Sequence, residues 1–426
     1  MFDSLKETQP RVSAEAAPWV IVAGGFHQRG GMDKANAALA RYLLARGTPL
    51  HLVAHAVAPE LAAHPQATVH IVPRPAGSFL LGERLLAREG HRVARAVVAR
   101  HRGARVVTNG GNCAWPDINW VHSVHHAWPR ADAEAPLWFR AKNRLDGATA
   151  RRRERGAISN ARIVIANSER TRRDLMTHLD VKPERIRTVR LGSDDVRQLQ
   201  DGAATREERT AAREWLGVPE GRPLVVFVGA LGHDCNKGFD TLLGAWARLC
   251  ARAEWDADLV AAGGGRAVAA WRTHVASFGL AARVKLLGHT ERVGDVLAAA
   301  DLLVSPVRYE AYGLNVHEAV VRGVPSLVSA VAGVAELYPA ELSAMLLPDA
   351  EDAAHLEATL LDWRMEVEAW KRRFAPFAAT LARRTWRDMA AEFVEVVEGE
   401  AAETSVVGQE YVSLSVEAGR MARKIS

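Results

Sequence analysis

Short apolar runs alternate with longer amphipathic stretches along almost the whole chain. In the first half such runs stand at 19–23, 50–54, 69–72, 105–108, 119–122, 163–166 and 186–189. Runs this short, apolar at successive positions, fit strands buried on both faces, as in a parallel sheet covered by helices. Between them, 33–46 and 82–100 carry apolar residues three and four apart, the spacing of one helix face. The stretch 200–213 is polar and charged, and Gly217, Pro219, Gly221 and Pro223 punctuate the next few positions as turn formers. A second series then begins, with runs at 224–228, 258–262, 284–287, 302–304, 326–329 and 345–347. The pattern predicts two doubly wound α/β units, divided near residues 195–220.

Composition supports two cores. A chain of 426 residues exceeds one ordinary domain, and 48% hydrophobic with 25% charged residues excludes a disordered chain. No apolar run approaches the roughly 18 residues that cross a bilayer. The segment Met1 to Pro10 is polar and lacks an apolar signal core. Cys113, Cys235 and Cys250 are widely spaced thiols without a CxxC pair, which suits a reducing cytoplasm and disfavours a disulfide framework or structural zinc. The net charge is +5, and the basic residues are 47 arginines and only eight lysines. A lysine in a loop between strand and helix therefore stands out.

Doubly wound sheets bind ligands in the loops after their strands. The most informative such loop runs from Ser305 to Glu318, after the apolar run 302–304 and into a helical pattern. Glu310 and Glu318 bracket a turn at Gly313. Glycine lets backbone approach a ligand, and the new helix offers free N–H groups to phosphate. Glu310, before the turn, is placed to accept hydrogen bonds from sugar hydroxyls, and Glu318, two turns along, to reach a ribose. Single glutamate pairs are common on surfaces; this pair is distinguished by the glycine turn between strand and helix.

Other loops hold further candidates. Gly24, Gly25, Gly30 and Gly31 surround His27 and Arg29, without a G-x-G-x-x-G and following acid that would mark a dinucleotide site. Lys237 precedes Gly238 after the run 224–228, where a lysine can neutralise charge on a departing diphosphate. His122, His125 and His126 cluster after another strand, but no carboxylate or thiolate stands near them in sequence, so no metal is expected there. Asn109 ends the preceding strand and faces the same expected cleft.

Glu310-Ala-Tyr-Gly-Leu-Asn-Val-His-Glu318, followed by Gly323-Val324-Pro325, resembles the E-x7-E motif of retaining GT-B glycosyltransferases, in particular glycosyltransferase family 4. The resemblance covers roughly residues 18 to 395. Gly30-Gly31-Met32-Asp33 resembles the family's first glycine loop, Val164 to Ser168 a strand end of the first domain, and Gly192-Ser193-Asp194 the turn that closes it. Gly229 to Asp240 resembles the phosphate-binding loop, and Ala262 to Gly265 and Leu287 to His289 the loops on the base side.

The resemblance implies two facing Rossmann-like domains. They would be an acceptor-side unit at 1–200, a nucleotide-sugar-binding unit at 201–380, and a segment 381–426 whose helix returns to the first domain before a polar tail. It implies transfer of a sugar, with retention, from a UDP-, GDP- or ADP-type donor to an unidentified acceptor, without a metal. Lys237, Glu310 and His122 become the catalytic set, His122 holding the sugar rather than acting as a base. Gly30, Gly31, Gly229, Gly264, Arg266, His289, Tyr312, Gly313, Leu314, Asn315 and Glu318 become donor contacts. Asn109, His125 and His126 fall on the acceptor side.

One departure stands out. The family's arginine after the first glycine of the phosphate loop is replaced here by Ala230, and the loop is about two residues longer. Arg29, Arg266 and Arg308 are the candidates for the missing charge. A basic run at Arg151, Arg152, Arg153 and Arg155, with Arg140, Lys142 and Arg144 upstream, reads as a solvated helix face, as peripheral contact with an anionic membrane or as a grip on an acidic acceptor. Nucleic acid is not expected, because no recognition module accompanies the charge. A GT-B phosphorylase, a sugar-nucleotide epimerase and a non-catalytic nucleotide-sugar-binding protein stay open as alternatives.

Overall fold

A computed structural model describes residues 16–129, 132, 135–194 and 204–399. The polar N-terminal segment, part of the expected boundary and the polar tail lie outside them. The first sheet has seven parallel strands, in the order Ala67–Ile71, Leu50–Ala54, Trp19–Val22, Arg105–Asn109, Ile118–Val121, Ile163–Ala166 and Ile186–Thr188. The second has six, in the order Val284–Gly288, Asp258–Ala262, Leu224–Val228, Leu302–Ser305, Ser326–Ser329 and Leu346–Leu347. Every apolar run marked in the sequence becomes a strand, displaced by at most two residues at its start. A short ribbon pairing Gly25–Phe26 with Ala56–Val57 has no such run to announce it.

Both faces of the inner strands of the first sheet are covered, which explains their successive apolar positions, whereas the edge strand Ala67–Ile71 has no buried residue. Trp19 and Ile21 point into one core with the helix Gly31–Ala45, while Val20 and Val22 point into another with the helix Phe79–Arg100. Ser78 caps the latter helix, accepting a hydrogen bond from the Leu81 amide at 3.4 Å. In the second unit the amphipathic helix Arg206–Leu216 opens with a full capping box between Thr205 and Glu208. Its Arg213 is fully buried and donates to Ala299 O at 2.8 Å, beside Asp301. Asp301 also accepts from Arg209 and from the Leu224 amide, so one buried carboxylate ties this helix to the central strand. Burial pushes the Asp301 carboxyl up, but Arg209, Lys371 and the amide outweigh it and leave it below the usual carboxylate range.

The chain then crosses back. Helix 386–399 inserts Met389, Phe393, Val394 and Val397 into the core of the first unit. The crossing point explains the Gly192-Ser193-Asp194 turn. A Cβ on Gly192 would lie 2.2 Å from Thr385 O, and the Trp386 amide donates to Ser193 O at 3.0 Å. The Trp386 indole closes the turn on Asp194 at 3.0 Å.

Candidate active site

The loop after the strand Leu302–Ser305 is gripped by both units. From the first unit, the Val124 amide donates to the buried Tyr309 hydroxyl at 2.9 Å, and Ser168 Oγ donates to Ala311 O at 2.5 Å. Tyr312 is buried in the first unit's core, where its hydroxyl meets Leu191 O and His317 Nδ1. From the second unit, the Gly333 amide donates to Glu310 O at 3.1 Å. Glu336 then accepts from the Glu169 and Arg170 amides at 2.9 and 3.1 Å, capping a helix of the opposite unit. Glu310 therefore projects from backbone that neither unit could position alone. Ser168 has two tasks, since its Oγ also caps the helix Glu169–Leu179.

Gly313 ends this loop with φ +102 and caps the helix Leu314–Val321. A Cβ there would meet Val334 Cγ1 at 2.9 Å, so glycine is required by both conformation and space. No side chain caps this helix, and its first amides stay available to an anion.

Lys237 reaches Glu310, with Nζ 2.5 Å from Oε2. Its loop is fastened to the glutamate loop from both sides: Asn236 Nδ2 donates to Tyr309 O at 3.2 Å, and the Arg308 amide to Asn236 O at 2.9 Å. Gly238, at φ +71, then packs so closely that a Cβ would fall 1.8 Å from Pro306 O. The charge pair is thus held by two loops that cannot shift independently.

Two cavities are lined by residues of both units. A cavity of about 610 Å³ is bounded by Gly30, Gly31, Lys34, Gly229, Gly263, His289, Leu314, Asn315, Glu318 and Arg322 among others. A smaller one of about 220 Å³ holds Lys237 and Glu310 with Ser123, Trp128, Ala230, Asn236 and Tyr309. Seven of the expected donor contacts line the larger cavity: Gly30, Gly31, Gly229, His289, Leu314, Asn315 and Glu318. Asn315 is fixed there by donating to Val228 O at 2.9 Å.

The structure places several expected residues elsewhere. Tyr312 faces the first unit's core rather than the cleft. Gly263 takes the lining position expected of Gly264, whose carbonyl accepts from the Leu231 amide at 2.9 Å. Arg266 is exposed and lines neither cavity. Arg308 is consumed by Asp240, at 2.7 and 2.9 Å, and by Glu351 at 2.6 Å. Arg29 reaches the cavity, but its guanidinium pairs with exposed Glu291 at 2.7 Å.

The three histidines divide. His125 and His126 point Nδ1 at the fully buried Glu154, at 2.9 and 2.8 Å, and their amides donate to the same carboxylate. Burial raises the Glu154 carboxyl, but the two imidazoles and the His125 amide outweigh it and bring it below the usual range. Glu154 lies inside the basic run, where nothing in the sequence singles it out, and it is what shapes this turn. His122 has a buried Nε2 without a protein partner and packs on Trp120 at 4.4 Å between ring centroids. Burial pushes its pKa down to about 3, so the ring is neutral and is suited to hydrogen bonding, not to charge neutralisation. Asn109 is buried and donates to Trp120 O at 3.4 Å, away from both cavities. Trp128, stacked on His125 at 5.4 Å, lines the smaller cavity in their place. Among the described residues no group of three His, Cys, Asp or Glu side chains is arranged to hold a metal ion.

Residues 29–197 match the family Glycosyltransferase Family 4, and residues 222–362 match Glycosyl transferases group 1. The chain belongs to this glycosyltransferase family. It is 28% identical over 257 residues to the D-inositol 3-phosphate glycosyltransferase of Corynebacterium diphtheriae, a match covering 58% of each chain. The alignment thus spans under two thirds of that relative's length. Among solved structures, WaaG, a glycosyltransferase involved in lipopolysaccharide biosynthesis, superposes with a TM-score of 0.67 at 19% identity, over 89% of this chain and all of that one. HepE of Anabaena, solved with UDP and glucose, gives 0.64 at 18% identity, over 90% and 99%. These likenesses establish the GT-B fold of two facing Rossmann-like units.

Proposed function

We propose that this family 4 glycosyltransferase moves a sugar from a nucleoside-diphosphate donor to an acceptor hydroxyl with retention of anomeric configuration. The observation that carries the reading is the convergence of Lys237 and Glu310 beside the uncapped N-terminus of the helix that bears Glu318. The nucleoside diphosphate lies in the larger cavity, its ribose on Glu318 and its phosphates at the amides after Gly313. The sugar extends into the smaller cavity, between Glu310 and Trp128.

In the step itself, the bond from the anomeric carbon to the diphosphate oxygen breaks while the acceptor oxygen bonds to the same face. The acceptor's proton passes to the departing phosphate. Lys237 and the helix amides stabilise the charge that grows on the diphosphate. Glu310, fixed from both units, aligns the sugar, and neutral His122 supplies a hydrogen bond to it. No divalent metal is called for, since lysine and backbone amides take the electrostatic role.

On the acceptor side, the helix Leu137–Asn160 leaves Leu137, Trp138 and Leu145 exposed next to Arg140, Lys142 and Arg144. That combination supports peripheral contact with an anionic membrane by a cytoplasmic protein. No helix among the described residues is long and apolar enough to cross one. A thermal-shift screen of UDP-, GDP- and ADP-sugars tests the donor assignment, because specific binding stabilises the fold. NMR of the product then tests retention. An inverted anomeric centre would refute the mechanism, and flotation with phosphatidylglycerol vesicles but not phosphatidylcholine vesicles tests the membrane contact.

A further inference from the structure

The missing arginine at Ala230 leaves the donor diphosphate short of one cation, and the arginines of the phosphate side do not supply it. Arg308 is committed to Asp240 and Glu351, and Arg266 is outside the cleft. Arg322 lines the larger cavity, but it follows the C-terminal end of the helix Leu314–Val321. Eight residues at about 1.5 Å rise place it roughly 12 Å from the helix N-terminus.

A lysine from the other unit is better placed. Lys34 lies in the first turn of the helix Gly31–Ala45, whose N-cap, Gly30, provides no capping side chain. That N-terminus meets the N-terminus of the helix Leu314–Val321 directly: a Cβ on Gly31 would touch Leu314 Cδ2 at 3.1 Å. Two helix ends of the same partial charge thus abut in the wall of one cavity, an arrangement that favours an anion beside them. Lys34 Nζ stands 2.5 Å from Glu318 Oε1, with only 20% and 14% of the two side chains exposed. Glu318 is four residues, or about 6 Å, along the helix from Leu314. The ammonium carries three protons and Glu318 takes one of them here. The others are free to meet a phosphate oxygen at the helix end while ribose hydroxyls donate to the second carboxylate oxygen.

We propose that Lys34 is the second cation of the donor site, reaching across the domain cleft to the diphosphate while it orients Glu318 for the ribose. The assignment rests on the donor placement given above. It gives the first unit a charged contact with the donor in addition to Gly30 and Gly31, so that tight nucleotide binding requires the two units to be closed together.

The test compares wild type, Lys34→Met, Lys34→Arg, Glu318→Gln and the Lys34→Met/Glu318→Gln double variant, each checked for an unchanged melting profile. Affinities for UDP, GDP and ADP are measured by calorimetry, and those for uridine, guanosine and adenosine by saturation-transfer NMR. With the nucleotide that binds wild type best, Lys34→Met should weaken the diphosphate about tenfold to a hundredfold, the scale of one charge-assisted hydrogen bond. The matching nucleoside should bind within about twofold of wild type, and Lys34→Arg should recover most of the diphosphate affinity. The loss should persist when Glu318 is already Gln. An unchanged or tighter diphosphate affinity in Lys34→Met, or a loss that vanishes in the Glu318→Gln background, would reduce Lys34 to a partner of Glu318 and overturn the proposal. Wild-type protein that binds none of the three diphosphates would instead refute the donor placement itself, and this inference with it.

Discussion

Lys237 and Glu310 form a contact at 2.5 Å, so removing either one should disturb the other. At an effective dielectric near 20, opposite charges at this range attract by several kcal/mol before solvent screening. The pair is a third or less exposed, with 33% and 21% of the two side chains accessible, so part of that attraction survives. Removing one preorganised electrostatic group typically costs about 10²–10³ in kcat, or roughly 3–4 kcal/mol. Lys237→Met should fall in that range because the leaving diphosphate loses its cation. Glu310→Gln should fall there too, because Lys237 Nζ loses the carboxylate that aims it and the sugar loses an acceptor. If the two act as one unit, the double variant should be no worse than about tenfold below the weaker single variant. The assay is steady-state turnover at saturating donor and acceptor for all four proteins. Multiplicative losses, to about 10⁴ or beyond, would refute the reasoning by showing that the two side chains act on separate parts of the transition state. An unchanged kcat in Lys237→Met would transfer its role to the helix amides and Lys34.

Further perturbations separate binding, positioning and stability. Glu318→Gln removes a contact remote from the reacting bond, so its effect should appear mainly as a donor KM raised about tenfold with kcat nearly kept; a dominant fall in kcat would place Glu318 at the sugar. Ser168→Ala leaves Ala311 O with only the longer donation from Thr171 Oγ1, at 3.3 Å, and loosens the loop that carries Glu310, so kcat should fall about tenfold while nucleotide affinity, measured by calorimetry, stays within a factor of about two. Arg213→Ala leaves Asp301 with Arg209, Lys371 and the Leu224 amide but takes the buried donor from Ala299 O and Pro219 O, and should cost about 2–4 kcal/mol of stability in denaturant titrations; a loss under 1 kcal/mol would contradict its structural role. Burial holds His317 at about 4, below the ordinary 6.5, so the unfolded chain takes up a proton that the folded one does not. That penalty is absent above pH 6.5 and grows as the pH falls towards 4, to about 3 kcal/mol; His317→Gln should flatten this part of a stability-against-pH curve.

Much of this molecule is legible in its sequence because the relevant signals are local. Strands buried on both faces must be apolar at successive positions, so each core strand announces itself as a short run. The same holds for Glu310, Gly313 and Glu318, which belong to one strand–turn–helix and carry their chemistry in their spacing. Lys237 is visible because lysine is scarce here and Gly238 marks the start of a helix. The ribbon Gly25–Phe26 with Ala56–Val57 leaves no trace, since two residues give no periodicity.

What only the tertiary structure decided concerns contacts between residues far apart in the chain. Lys34 and Glu318 are 284 positions apart, and nothing near either residue points to the other. Tyr312 reads as a cleft residue by its place in the motif, yet it is buried in the opposite unit, because that core offers its ring apolar surface and its hydroxyl two partners. His125 and His126 read as free ligands until the helix Leu137–Asn160 brings Glu154 against them, 29 and 28 residues later. Sequence periodicity records which way a side chain faces within its own element. Which partner it meets there depends on how the two sheets close on each other, and that is set by the packing of whole surfaces.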